Sequence, residues 1–156
     1  MIYLAFRDVD QSLITLCTAD EVNLNKLNEL IADGADVNAF DKEYEQVLYE
    51  EILDYYIFEG RERQINLSNL YTITEIFVKN GLVLNQQSDD SDYFLLDSFR
   101  FLPPERVCVD TFCMLLERCN FSHKDVNYMI ADTILDVHMG IYYFLRKRSI
   151  ILKKKV

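Results

Sequence analysis

Leu24-Asn-Lys-Leu-Asn-Glu-Leu-Ile-Ala-Asp-Gly34-Ala-Asp-Val-Asn-Ala39 is the stretch that decides the fold. Leu24, Leu27, Leu30 and Ile31 recur at helical spacing, and the helix they describe stops at Gly34 and leaves through a polar turn. A helix–loop unit with a single apolar face has to stack on another to bury it.

A stacking unit should recur, and four segments share one form: Leu13-Ile-Thr-Leu-Cys17, Leu48-Tyr-Glu-Glu-Ile52, Leu95-Leu-Asp-Ser-Phe99 and Ile130-Ala-Asp-Thr-Ile134. Their first residues lie 35, 47 and 35 positions apart. In each, the first and fifth residues are apolar and fall on one side of a helix. Second helices fit the same frame, ending at Gly34, at Asn80-Gly81 after Leu70, Ile73, Ile76 and Phe77, and near Cys119-Asn120 after Val107, Phe112, Leu115 and Leu116. The long middle interval falls on Phe58-Glu-Gly-Arg-Glu-Arg-Gln-Ile-Asn66, which reads as a polar insertion looping out around Gly60.

Boundary signals agree with that frame. Pro103-Pro104-Glu105 opens a helix, and Ser122-His-Lys-Asp125 has the form of a capping box. A last helix at Ile141-Tyr-Tyr-Phe-Leu145 runs into Arg146, Lys147 and Arg148, cations that suit a helix C-terminus.

In these residues the chain resembles the ankyrin-repeat family. Gly34-Ala35-Asp36-Val37-Asn38-Ala39 is similar to the close of an ankyrin repeat, and the four aliphatic segments look like the core of its first helix. The family's Thr-Pro-Leu-His signature is replaced by Gln11-Ser-Leu-Ile14, Gln46-Val-Leu-Tyr49, Tyr93-Phe-Leu-Leu96 and Tyr128-Met-Ile-Ala131. Glu51 departs further, standing where a small core residue belongs. The resemblance implies an all-α fold, a short helical solenoid of about four helix pairs in one domain spanning 1–156. Repeats would cover about 8–40, 41–87, 88–122 and 123–150, with a basic tail at 146–156. Virtually no sheet is expected, and Leu30 and Leu115 are expected in the core.

The residue inventory argues against chemistry. With four glycines, the chain holds no Gly-rich phosphate loop and no Gly-x-Ser-x-Gly elbow. Cys17, Cys108, Cys113 and Cys119 sit among apolar residues and read as reduced core thiols. Cys108, Cys113, Cys119 and His123 lack the Cys-x-x-Cys spacing of compact zinc modules, so neither a metal nor a cofactor is expected. Glu50, Glu51 and Asp54 crowd one helix rather than facing each other across a cleft, unlike a general acid and base.

Charge and aromatic placement point to binding instead. Six of 16 cations lie in Arg146–Val156 with no acid among them, leaving 10 bases against 26 acids, a net −16, in residues 1–145. Such a body repels nucleic acid and favours cationic partners. The third residues of the repeat cores are Thr15, Glu50, Asp97 and Asp132, and stacking aligns the three acids. In ankyrin-like folds that side lines the concave groove, where Tyr49, Tyr55 and Tyr93 would supply anchors.

The expected function is a non-enzymatic protein-interaction module. It would be an immunity or inhibitor protein that occludes a basic toxin or nuclease, with no nucleic-acid, membrane or small-molecule partner. An acidic nucleic-acid mimic, such as a phage-derived inhibitor of a DNA-binding system, is the alternative, and a cysteine enzyme using Cys113 the remote one. No secretory leader is legible in Met1–Arg7 and no apolar run approaches a membrane span, which makes the cytoplasm the expected location.

Overall fold

Helices α1 (Asp8–Cys17) and α2 (Leu24–Ala32) form the first pair in a computed structural model that describes residues 6–41, 46–84, 101–103 and 105–118. Asp8 and Asp10 occupy the first turn of α1, where acids suit the helix dipole, while Leu13, Ile14 and Cys17 are buried. The helix therefore starts five residues ahead of Leu13, earlier than the aliphatic pattern alone predicts. Asn23 caps α2 by accepting a hydrogen bond from the Lys26 amide at 3.1 Å, and Leu27 is its fully buried residue. Leu30 is only half-buried, a correction to its expected core place, because α2 presents Leu27 rather than Leu30 to the core.

Gly34 ends α2 with φ 106°, its amide reaching the Ile31 carbonyl at 3.1 Å and the Ala35 amide the Leu30 carbonyl at 3.0 Å. That double closure is the Schellman form, which needs a left-handed residue and so favours glycine. Arg7 and Asp10 fix the turn that follows. Arg7 Nη2 donates to the Gly34 carbonyl at 3.0 Å, and the Asp36 amide donates to the buried Asp10 carboxylate at 2.9 Å.

Between the helix pairs lies a short antiparallel hairpin, β1 (Phe40–Asp41) with β2 (Gln46–Val47), pairing Phe40 with Val47 and Asp41 with Gln46. It is the one sheet among the described residues, and the Leu48 amide extends it to the Ala39 carbonyl at 2.9 Å.

The second pair is α3 (Leu48–Glu62) and α4 (Ser68–Lys79). Leu48, Tyr49, Ile52, Leu53, Tyr56 and Ile57 form the buried half of α3. Contrary to the expected surface loop, α3 runs through Gly60 to Glu62. A glycine inside a helix costs only about 1 kcal/mol, less than burying the neighbouring turn of Tyr56 and Ile57 returns. Arg63 adds closure from beyond the helix end, its Nε bonding Glu59 at 2.6 Å. Residues 58–62 of the expected insertion thus continue the helix, and 63–67 connect it to α4. α4 ends as α2 does, with Gly81 at φ 84° and the Leu82 amide on the Phe77 carbonyl at 3.0 Å. Asn38 Nδ2 joins the two ends by donating to the Gly81 carbonyl at 2.9 Å.

These elements belong to the first of two compact units, Met1–Leu82 and Val83–Val156. In the second, α5 (Arg106–Arg118) follows Pro103 and Glu105 as the sequence predicts and buries Cys108, Phe112, Met114, Leu115 and Leu116. The described residues are mostly helical. Helix starts expected at Leu95 and Ile130, the capping box at Ser122, the helix at Ile141 and the basic tail lie outside the described residues.

Candidate functional site

Every position expected to bind a partner and lying within the described residues falls on α3. A helix turns about 100° per residue, so burying Leu48, Tyr49, Ile52, Leu53, Tyr56 and Ile57 leaves the arc with Glu50, Glu51, Asp54, Tyr55, Phe58 and Glu62 facing outward. Tyr49 is the correction. It is 0% exposed, its hydroxyl 2.8 Å from Thr74 Oγ1 and its ring centroid 6.0 Å from that of Phe77, so it holds α3 to α4 and offers no surface. Thr74 in turn donates to the Leu70 carbonyl at 2.6 Å, which satisfies the buried hydroxyls.

Tyr55 is half-buried and held from two sides. Its ring meets that of Tyr56 edge-on at 5.2 Å, and its hydroxyl accepts from Arg63 Nη2 at 2.9 Å. Tyr56 is itself fixed by donating to the Cys17 carbonyl at 3.0 Å, which satisfies an orphan acceptor at the end of α1. Asp97, Asp132 and Tyr93 lie outside the described residues, so the expected row of three carboxylates is represented here by Glu50. Thr15, its counterpart on α1, is exposed.

Three carboxylates crowd five residues of α3. Glu50 is pushed up to about 7, first by burial and then by the charges of Asp54 and Glu51. Burial also raises Glu51, with Asp54 and the buried Asp41 adding repulsion. Asp54 is raised by burial too, against the pull of Gln46 Nε2, which donates to it at 3.1 Å. None of the three pairs with a cation among the described residues. By contrast, Arg7, Arg63, Lys79 and Arg106 each pair with an acid elsewhere.

Two hollows lie beside these helices. A groove of about 590 Å3 lies between α1 and α2, lined by Gln11, Thr15, Leu16, Ala19, Lys26 and Leu30. A cavity of about 160 Å3 sits at the helix–helix turns beside Asp20, Tyr55, Arg63 and Asn69.

The thiols are held in their neutral form. Burial pushes Cys17 up to about 12, and burial with nearby carboxylates pushes Cys108 and Cys113 up to about 11, the opposite of an activated nucleophile. Cys119, His123 and His138 lie outside the described residues. Among the described residues no group of three or more His, Cys, Asp or Glu is arranged to hold a metal, and no helix is long and apolar enough to cross a membrane.

Phe58 was not among the sequence candidates. It is 63% exposed on the acidic arc, and its spacing of four from Asp54 and seven from Glu51 was the signal that could have placed it there. No protein-family model matches the chain, nor does any curated protein or solved structure.

Proposed function

We propose that this chain is a non-enzymatic interaction module, built as ankyrin-like helix pairs, whose acidic face binds the basic surface of a protein partner. The observation that carries the reading is the set of half-buried carboxylates Glu50, Glu51 and Asp54 on α3, raised in pKa and without a cationic neighbour among the described residues. Like charges held this close oppose one another until an incoming cation offsets them. A partner's lysine or arginine does so, and acids of this kind also speed encounter.

The ankyrin-like part of the proposal draws support from the order helix–turn–helix, hairpin, helix–turn–helix, and from the shared glycine ending of α2 and α4. In a stack of this kind first helices lie side by side, and α1 does pack on α3. The role that suits such a module is an inhibitor or immunity protein in the cytoplasm that covers the working face of a basic toxin or nuclease.

Affinity capture with immobilised wild-type chain and with a Glu50→Lys, Asp54→Lys variant tests this. A basic protein retained by the wild type, released as salt rises and lost on the variant, while circular dichroism stays helical, is the expected result. Equal retention on both rejects the acidic face.

A further inference from the structure

Phe58 stands near the middle of the outward arc of α3, between Asp54 and Glu62 along the helix. A single exposed apolar residue is ordinary on a protein surface. Its surroundings set it apart. Asp54 lies one turn before it and Glu50 two turns before it, about 6 and 12 Å along the axis, while Glu62 lies one turn beyond.

Tyr55, three residues before Phe58, extends the apolar surface. Its ring is fixed by the Tyr56 edge contact and the Arg63 hydrogen bond before any partner arrives. An aromatic already immobilised lowers the ordering cost of binding. Aromatic surface rimmed by charge is the usual anatomy of an interface hot spot.

We propose that the outward face of α3 docks a cationic amphipathic segment of a protein partner. One apolar side chain of that segment rests on Phe58 and Tyr55, and lysines or arginines one to two turns to either side meet Glu50, Glu51, Asp54 and Glu62. This rests on the basic-partner reading above and adds the anchor and the chemistry of the segment. Charge complementarity selects this occupant. A second copy of the chain, paired through the same face, would set these acids against their own kind.

The test uses the full chain and a fluorescein-labelled synthetic helical peptide with one leucine flanked by lysines a turn to each side, and a matched peptide with alanine for the leucine. Anisotropy should show the leucine peptide binding at least ~10-fold tighter, the scale of a hot-spot side chain. Phe58→Ala should erase that advantage and leave the alanine peptide unchanged. Equal affinity of the two peptides, with both lost on Glu50→Lys, Asp54→Lys, overturns the anchor and keeps the acidic-face reading. Failure of both peptides to bind wild type at low salt overturns anchor and reading together. Self-association abolished by Phe58→Ala would assign the face to a second copy and overturn the proposal. Phe58 is exposed, so the variant should fold, and an unchanged thermal melt verifies it.

Discussion

The two helix pairs of the first unit share a core and differ in what they show outward. Leu13, Ile14 and Cys17 of α1 and Leu48, Tyr49 and Ile52 of α3, thirty-five residues later, are all buried. At the same offset Thr15, Leu16 and Ala19 become Glu50, Glu51 and Asp54. The inward positions repeat while the outward ones turn acidic, and α3 is 15 residues long where α1 is 10. A helix can thus keep its packing and change its surface, because its opposite sides answer to different constraints.

Core truncation strikes the shared side hardest. Leu27→Ala should cost about 2–5 kcal/mol by chemical denaturation, since it leaves a cavity at a fully buried site. Leu30→Ala should cost well under half of that, and an equal loss would show that α2 packs through a different stripe.

Gly34→Ala and Gly81→Ala probe the matching helix ends. No atom lies within 4 Å of a Cβ at either site, so the cost is conformational, about 1–2 kcal/mol from the left-handed φ alone. Similar losses at both sites are expected. A loss at one and none at the other would mean that the two ends are different devices.

Gly60→Ala tests the lengthened part of α3. Its Cβ would meet Ile65 at an ordinary 3.7 Å and the backbone there is helical, so a gain of about 0.5–1 kcal/mol is expected. Destabilisation would return this segment to the loop that its composition suggests.

pH separates Asp10 of the first pair from Glu50 of the second. Burial opposes ionisation of Asp10, but the Arg7 hydrogen bond and the Asp36 amide outweigh it and hold the carboxyl below its ordinary value. Its contribution to stability is therefore present above about pH 4 and lost as pH falls through the folded pKa, a loss that Asp10→Asn removes. Glu50, raised to about 7, works the other way. The folded state holds its proton longer than the unfolded chain, so stability falls as pH rises from about 4.5 to 7, and Glu50→Gln should flatten that slope. Denaturation midpoints measured across pH 3–8, as a rough working range for these carboxylates, separate the two effects.

Local chemistry was legible in the sequence. The buried i, i+4 pairs Leu13–Cys17 and Leu48–Ile52, the glycine helix ends and the start of α5 beyond Pro103 follow from a few neighbouring residues each. Packing was less so. Whether Leu27 or Leu30 points inward depends on how α2 lies on its neighbours, and Tyr49 is drawn into the core by Thr74 and Phe77, distant in sequence. Gly60 and its polar neighbours hid the extension of α3, although Glu59 and Arg63 at i, i+4 are a helix signal. Placing Phe58 in a loop removed it from the acidic face.

The most direct test gives α3 the residues found thirty-five positions earlier, in and just after α1: Glu50→Thr, Glu51→Leu and Asp54→Ala in one chain, titrated with the lysine-flanked leucine peptide by anisotropy. Retained helical circular dichroism with binding weakened by at least ~10-fold is the predicted result. A folded variant that binds the peptide as tightly as the wild type would contradict the account, because the acids of α3 would then have no part in recognition.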